Sequence, residues 1–353
     1  MSDVKHRPMA WQSMLGMAGM FIFTICMGIF IQPFWNFEEV RAFGEEGSTK
    51  AGYIFFELLL IFLFTAAVIW LARKGLQSLI KGFVLLALWY SMTITILPLI
   101  SLIGYYVGGM DGQGSGYMML IASLILSLGA IIALYKYPEW WVVNGVGMIV
   151  GSGVIVMIGI AFVPVLICIF MIAAAIYDYW AVHRSKHMLE LADTMIDLKL
   201  PVVLVAPKDT NYSFRSEQGS MRDSGSTADS STVQQNDGGA SKKGRDALFM
   251  GLGDVIFPGM LVISSITFLP EIGPVVFDFW GGPTKPVHLG PMLVALGTLV
   301  GGLFGYAALM RFVAKGSAQP GLPLLNGGAI LGHIITVIVL LGPAALWQDI
   351  TFL

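Results

Sequence analysis

The chain has 353 residues, of which 56% are hydrophobic and only 12% charged, with a formal net charge of −2. A soluble domain carries roughly 25% charged residues, so this composition excludes a water-soluble globular protein and makes the lipid bilayer the solvent. The net charge itself says nothing about a nucleic-acid partner, and none is expected.

Apolar stretches long enough to cross a bilayer core fall at 12–32, 53–72, 82–106, 117–135, 141–158, 161–181, 247–269, 291–312 and 323–347. They predict an all-α polytopic protein of nine transmembrane helices. The first run is too long for the core of a cleavable signal and reads as a span. The division between 141–158 and 161–181 rests on Gly159 and Pro164, with no charge between them. Cys26 and Cys168 lie mid-span, where small packing residues are expected. Glu57, a few residues inside the second span, is expected to reach water or a partner at the interface. Asn144 is expected to bond across helices and His333 to be a packed, hydrogen-bonded core residue.

Positive charge sets the orientation, because cytoplasmic loops collect Lys and Arg. With Lys5 and Arg7 inside, alternation also places Arg73, Lys74, Lys81, Lys136, the 183–246 segment, Arg311 and Lys315 inside. Only Arg41, Lys50 and Lys285 then fall outside. A single span over 141–181 would put the basic 183–246 segment outside, so nine spans with a cytosolic N-terminus and an external C-terminus are expected. The chain divides into 1–182 with six spans, 183–246 in the cytosol, and 247–353 with three.

Within the cytosolic part, 187–198 has the spacing of a short amphipathic helix, and 200–207 is a β-branched run bracketed by prolines that reads as an isolated strand. Residues 208–245 are rich in Ser, Gly, Asp, Asn and Gln and read as a disordered linker.

Two aspartates stand where a membrane protein can least accommodate them. Asp178 ends the apolar run 163–177, and Asp254 interrupts 247–269 within Gly251-Leu252-Gly253-Asp254. A carboxylate at the centre of a spanning helix costs roughly 2.5–3.5 kcal/mol by insertion scales, so such residues usually face a cavity and serve chemistry or transport. A third irregularity, Gln319-Pro320-Gly321-Leu322-Pro323, opens the last span and denies its backbone regular helical bonds. Asp254 lies about 10 Å into its span at 1.5 Å per residue, and the expected topology puts all three features on the cytosolic side.

Two carboxyls held close in a low-dielectric site do not both ionise easily and share a proton. One can act as base on a water while the other acts as acid toward a scissile carbonyl. Gly251 and Gly253 leave room beside Asp254, and Pro258 lacks the N–H that would bond the Asp254 carbonyl. No metal or cofactor is called for by this chemistry, and none is expected.

Tyr177-Asp178, Gly251-Leu252-Gly253-Asp254 and Pro320-Gly321-Leu322 resemble, in order, the YD, GxGD and PAL motifs of the presenilin and signal-peptide-peptidase family of intramembrane aspartyl proteases. The resemblance runs along essentially the whole chain. It departs at Gly321, where the family usually has Ala, and the short loops look most like the archaeal homologues, implying an archaeal cell membrane. It implies Asp178 and Asp254 as the catalytic pair. Tyr177, Gly251, Leu252, Gly253, Gln319, Pro320, Gly321, Leu322 and Pro323 become active-site or substrate-binding residues. The implied partners are transmembrane helical substrates, expected to be single spans with the N-terminus outside; a homo-oligomer is compatible with the sequence. The 201–207 strand and the Pro-Gly-Leu-Pro backbone are expected to offer unpaired edges to an unwound substrate.

Two other functions stay open on the residues alone. Paired intramembrane carboxylates and broken helices also mark proton- or cation-coupled transporters, although these acids lie near one face rather than at the midplane. Prepilin-type peptidases share GxGD but have no need of the Pro-Gly-Leu element.

Overall fold

The computed structural model describes residues 11–37, 63, 74, 77–108, 113–180, 203–207, 247–278, 285–314 and 320–347. Among them run eight long helices: α1 (Trp11–Trp35), α2 (Gln77–Gly108), α3 (Gln113–Lys136), α4 (Trp140–Ala161), α5 (Pro164–Trp180), α6 (Leu252–Phe268), α7 (Leu289–Ala314) and α8 (Gly321–Leu340). Four short strands accompany them: β1 (Val203–Pro207), β2 (Ala247–Gly251), β3 (Val275–Phe277) and β4 (Val287–His288). The expected span at 53–72, with Glu57, lies outside the described residues apart from Leu63, as do the 187–198 helix, the 208–245 linker and Gln319.

Six of the helices are long and apolar enough to cross a membrane; α5 and α6 have only 17 residues each. At 1.5 Å per residue these two cover about 25 Å, short of the roughly 30 Å hydrocarbon core. They are also the two that carry the aspartates.

The division between α4 and α5 is real. Helix α4 stops at Ala161, Phe162 is extended, and α5 restarts with Pro164 at its first position, where a missing N–H costs nothing. The Phe162 carbonyl, at the break between the two helices, accepts the Ser264 hydroxyl of α6 at 2.6 Å.

Helix α6 sits at the centre, packed against α1, α4, α5, α7 and α8. Phe21 and Ile25 of α1, Ile155 of α4, Ile263 of α6 and Leu299 of α7 build one buried cluster there. Helices α2 and α3 lie to the side, and the Ser91 and Thr95 hydroxyls of α2 donate to the Val150 and Ile149 carbonyls of α4 at 2.9 and 2.8 Å. In a bilayer, where lipid tails are as apolar as Leu, such bonds and close backbone approach hold helices together.

The closest approach joins α7 to α8. Gly297, Gly301 and Gly305 recur every fourth residue on α7 and meet Thr336, Gly328 and Gly332, and Leu324 of α8. A Cβ at Gly301 would sit against the Gly328 carbonyl and 2.9 Å from the Gly332 Cα, so the obstacle is backbone rather than a movable side chain.

Two sequence expectations are corrected here. The apolar run 247–269 is not helical throughout: its first five residues form β2, and the helix begins at Leu252. The strand at 203–207 is not isolated, because β2 is its antiparallel partner, with Pro207 opposite Ala247 and Val203 opposite Gly251. A second antiparallel pair, β3 with β4, lies between α6 and α7.

Candidate active site

Strand β2 delivers the chain into α6. Gly251 is both the last residue of the strand and the N-cap of the helix, with extended φ −61° and ψ 138°. Asp254 is therefore the third helical residue, and its carboxylate accepts the Gly251 backbone N–H. This is the reach-back half of a capping box, in which an acid at that position satisfies a donor the helix start leaves unpaired. One residue thus caps a helix and presents a carboxyl.

Asp178 stands in the last turn of α5, only 6% exposed. It lies close enough to Asp254 for the charge of one to act on the other. The start of α8 completes the group. Leu322 donates its backbone N–H to Asp178 Oδ2 at 3.3 Å, and Gly321 lies so near Asp254 that an added Cβ would be 3.2 Å from both carboxylate oxygens.

The geometry also explains the prolines. Pro320 is the N-cap of α8 and Pro323 its third residue, so the missing Pro323 N–H belongs to the turn whose donors have no helical acceptor anyway. The expectation of an irregular backbone with a strand-like edge is corrected: from Gly321 onward this segment is helix. What it offers the carboxyls is a helix N-terminus, where amides favour anions.

The glycines divide by need. A Cβ at Gly251 would lie 3.5 Å from Asp254 Oδ2, and one at Gly253 would lie 3.9 Å from Phe257, both ordinary contacts. Only Gly321 is tight against a carboxyl. Leu252 is buried in the central cluster. Tyr177 does not turn onto the aspartates: it is 61% exposed, its ring 6.3 Å from that of Trp180. His333 is buried and bonds the Ser265 hydroxyl at 3.0 Å, as a packed core histidine should. Cys26 is exposed and Cys168 half-buried, both free.

Two amides support the site that the sequence had not placed there. Asn326 of α8 donates to the Met171 carbonyl of α5 at 3.0 Å, a second tie between the helix carrying Asp178 and the helix carrying Gly321. Asn144, expected to bridge helices, instead bonds the backbone of β1 through both its side-chain atoms. Each was visible as an amide inside an apolar run, but its partner was not.

The family described as signal-peptide peptidase, presenilin aspartyl protease matches residues 18–341. A solved structure of a presenilin family intramembrane aspartate protease in space group P2 aligns over 92% of this chain and 97% of that chain, with 25% identity and a TM-score of 0.53. Another, in space group C222, aligns over the same shares at 24% identity and a TM-score of 0.50. No curated protein matches the chain. The family match spans all eight described helices in whole or in large part, and the chain belongs to the signal-peptide-peptidase and presenilin family: it is a multi-pass membrane protein and an intramembrane aspartyl protease.

Proposed function

We propose that Asp178 and Asp254 are the catalytic pair, making this a GxGD-type enzyme that hydrolyses peptide bonds inside transmembrane segments. The observation that carries the reading is the start of α8, where Leu322 bonds Asp178 while Gly321 abuts Asp254. Three motifs far apart in the chain meet around two carboxyls. One carboxylate takes a proton from water as the water attacks the scissile carbonyl, and the other carboxyl donates to the carbonyl oxygen. No cofactor takes part in this scheme. Purified protein incubated with a membrane-spanning peptide should cut it, and no cleavage by the wild type in detergent or in vesicles would overturn the reading.

A helical substrate hides its peptide bonds, so it must unwind to be cut. The extended segment lies beside β2, on the side turned away from β1. That differs from the sequence expectation, which gave the 201–207 strand itself and the Pro-Gly-Leu-Pro backbone that role. In support, β2 runs directly into Asp254, whereas β1 has β2 on one side and Asn144 on the other. Tyr177, exposed one residue before Asp178, faces the approaching substrate.

Gly321 sets the fit of Asp254. A methyl at 3.2 Å is tighter than ordinary contact, and the carboxylate must give by a few tenths of an ångström. Because a 1 Å misplacement costs about 10²-fold, Gly321→Ala should lower kcat by no more than about tenfold, while Gly321→Val should lose about 100-fold or more. Steady-state cleavage of one peptide by the three proteins checks this, and equal rates for Gly321→Val and wild type would refute it.

Orientation completes the proposal. Positive-inside counting runs the Asp178 helix from outside to inside and returns the Asp254 helix, so the chiral site faces spans with an external N-terminus and cuts them near the cytosolic half. Matched reporters of both orientations should show that preference. Cysteines introduced at Ser220 and Thr284, in a Cys26→Ser/Cys168→Ser background, should label from the cytosolic and external sides respectively. Labelling of Thr284→Cys from the cytosol would reverse the assignment.

A further inference from the structure

Asn144 is a buried polar side chain, away from the carboxyls, with both its side-chain atoms bonded. It is 4% exposed on α4, between Val142, Val143 and Val146, which are also buried. Its Oδ1 accepts the Val205 N–H at 2.8 Å and its Nδ2 donates to the Val205 carbonyl at 2.7 Å. That is the pair of bonds a neighbouring strand would make. In an antiparallel ladder a residue's N–H and C=O point to the same side, so Val205 faces away from β2, and its opposite number Phe249 points its backbone away from β1. The same alternation turns Gly251 away from β1, which agrees with its N–H reaching Asp254.

Helix α4 therefore holds the β2–α6 unit at two heights. Asn144 fixes the ladder, and three turns further on Ile155 packs into the notch at Gly259 of α6. The Asp254 carboxyl lies between these anchors. A buried amide costs about 1–3 kcal/mol unless it is bonded, and here both its atoms are spent on one residue of β1.

We propose that Asn144 is a positioning residue that sets which peptide bond is cut, by locking the height of the β1–β2 ladder relative to Asp254 and closing the outer side of β1 to substrate. The inference rests on the reading that substrate lies extended beside β2. It predicts an effect on the place of cleavage, which a loss of general stability does not produce.

The test is mass spectrometry of the products of one membrane-spanning peptide cut by wild type, Asn144→Leu, Asn144→Asp and Thr298→Val, with thermal unfolding measured on each. Thr298 is buried too, and among the described residues its hydroxyl bonds within α7, to the Val294 carbonyl. Asn144→Leu should spread cleavage over neighbouring bonds and lower kcat/KM about tenfold, while Thr298→Val keeps the wild-type product. Asn144→Asp keeps the acceptor for Val205 N–H and loses the donor; it gives the same readout should the leucine variant fail to accumulate. An unchanged product pattern in the Asn144 variants, or an equal spread in Thr298→Val, overturns the proposal. A wild type that cuts nothing refutes the protease reading itself, which is a different outcome.

Discussion

Asp178→Ala and Asp254→Ala should each reduce cleavage by at least about 10⁴-fold, because groups that act as a unit lose nearly the whole effect when one is removed. Neither substitution should harm the fold. Asp178 accepts only the Leu322 N–H in the described structure, and Asp254 caps a helix start with its Gly251 bond. Loss of a capping contact costs about 1 kcal/mol, and removing a buried carboxyl relieves a desolvation penalty of similar or larger size. Thermal midpoints at or near wild type are expected, with unchanged membrane insertion. The measurement is product formation over hours in purified protein, with the midpoint taken on the same samples. Appreciable turnover by both variants would end the assignment of the pair.

The second large effect is expected far from the carboxyls. Gly301→Leu places a side chain where the Gly328 carbonyl and Gly332 Cα already stand, so α7 and α8 must separate. Overpacking typically costs 1–3 kcal/mol even where side chains can yield, and backbone yields less. Since α8 carries Gly321 and Leu322, any tilt moves them off the aspartates, and activity should fall by about 100-fold or more. Gly327→Leu is the matched control on α8, because nothing lies within 4 Å of a Cβ there. It should behave like wild type. If Gly301→Leu kept both its thermal midpoint and its cleavage rate, the tight α7–α8 contact would have no part in holding the site.

Long apolar runs were legible because a bilayer demands about 20 residues per crossing, and the run at 141–181 was divided at Gly159 and Pro164, with the basic 183–246 segment deciding for two spans over one. The strand β2 was not legible. Ala247-Leu248-Phe249-Met250 is apolar and continues into α6, and the combined length matches a single span. A short apolar run carries no period that separates strand from helix, and the strand's partner lies across a long polar segment. The Pro-Gly-Leu-Pro stretch misled in the opposite direction. Its prolines look like breakers, yet at the first turn of α8 they remove only donors that a helix start cannot use. The aspartates stood out for a simpler reason: charge inside an apolar run is costly wherever the chain goes next. Which backbone amides meet them depended on three elements converging, and no spacing in the sequence reports that.

One feature of β1 and β2 reaches beyond the site. Pro207 lies directly opposite Ala247, so the last described residue before 208–246 and the first one after it stand side by side. The ladder, the α1–α6 packing and the α5–α8 ties all join described residues before that segment to described residues after it. Asp178 belongs to the first part and Asp254 to the second. The described parts are in effect a complementing pair of fragments. Expressed as separate polypeptides, 1–207 and 247–353 would each be silent and would signal their reunion by cutting a peptide, a reporter of assembly inside a membrane.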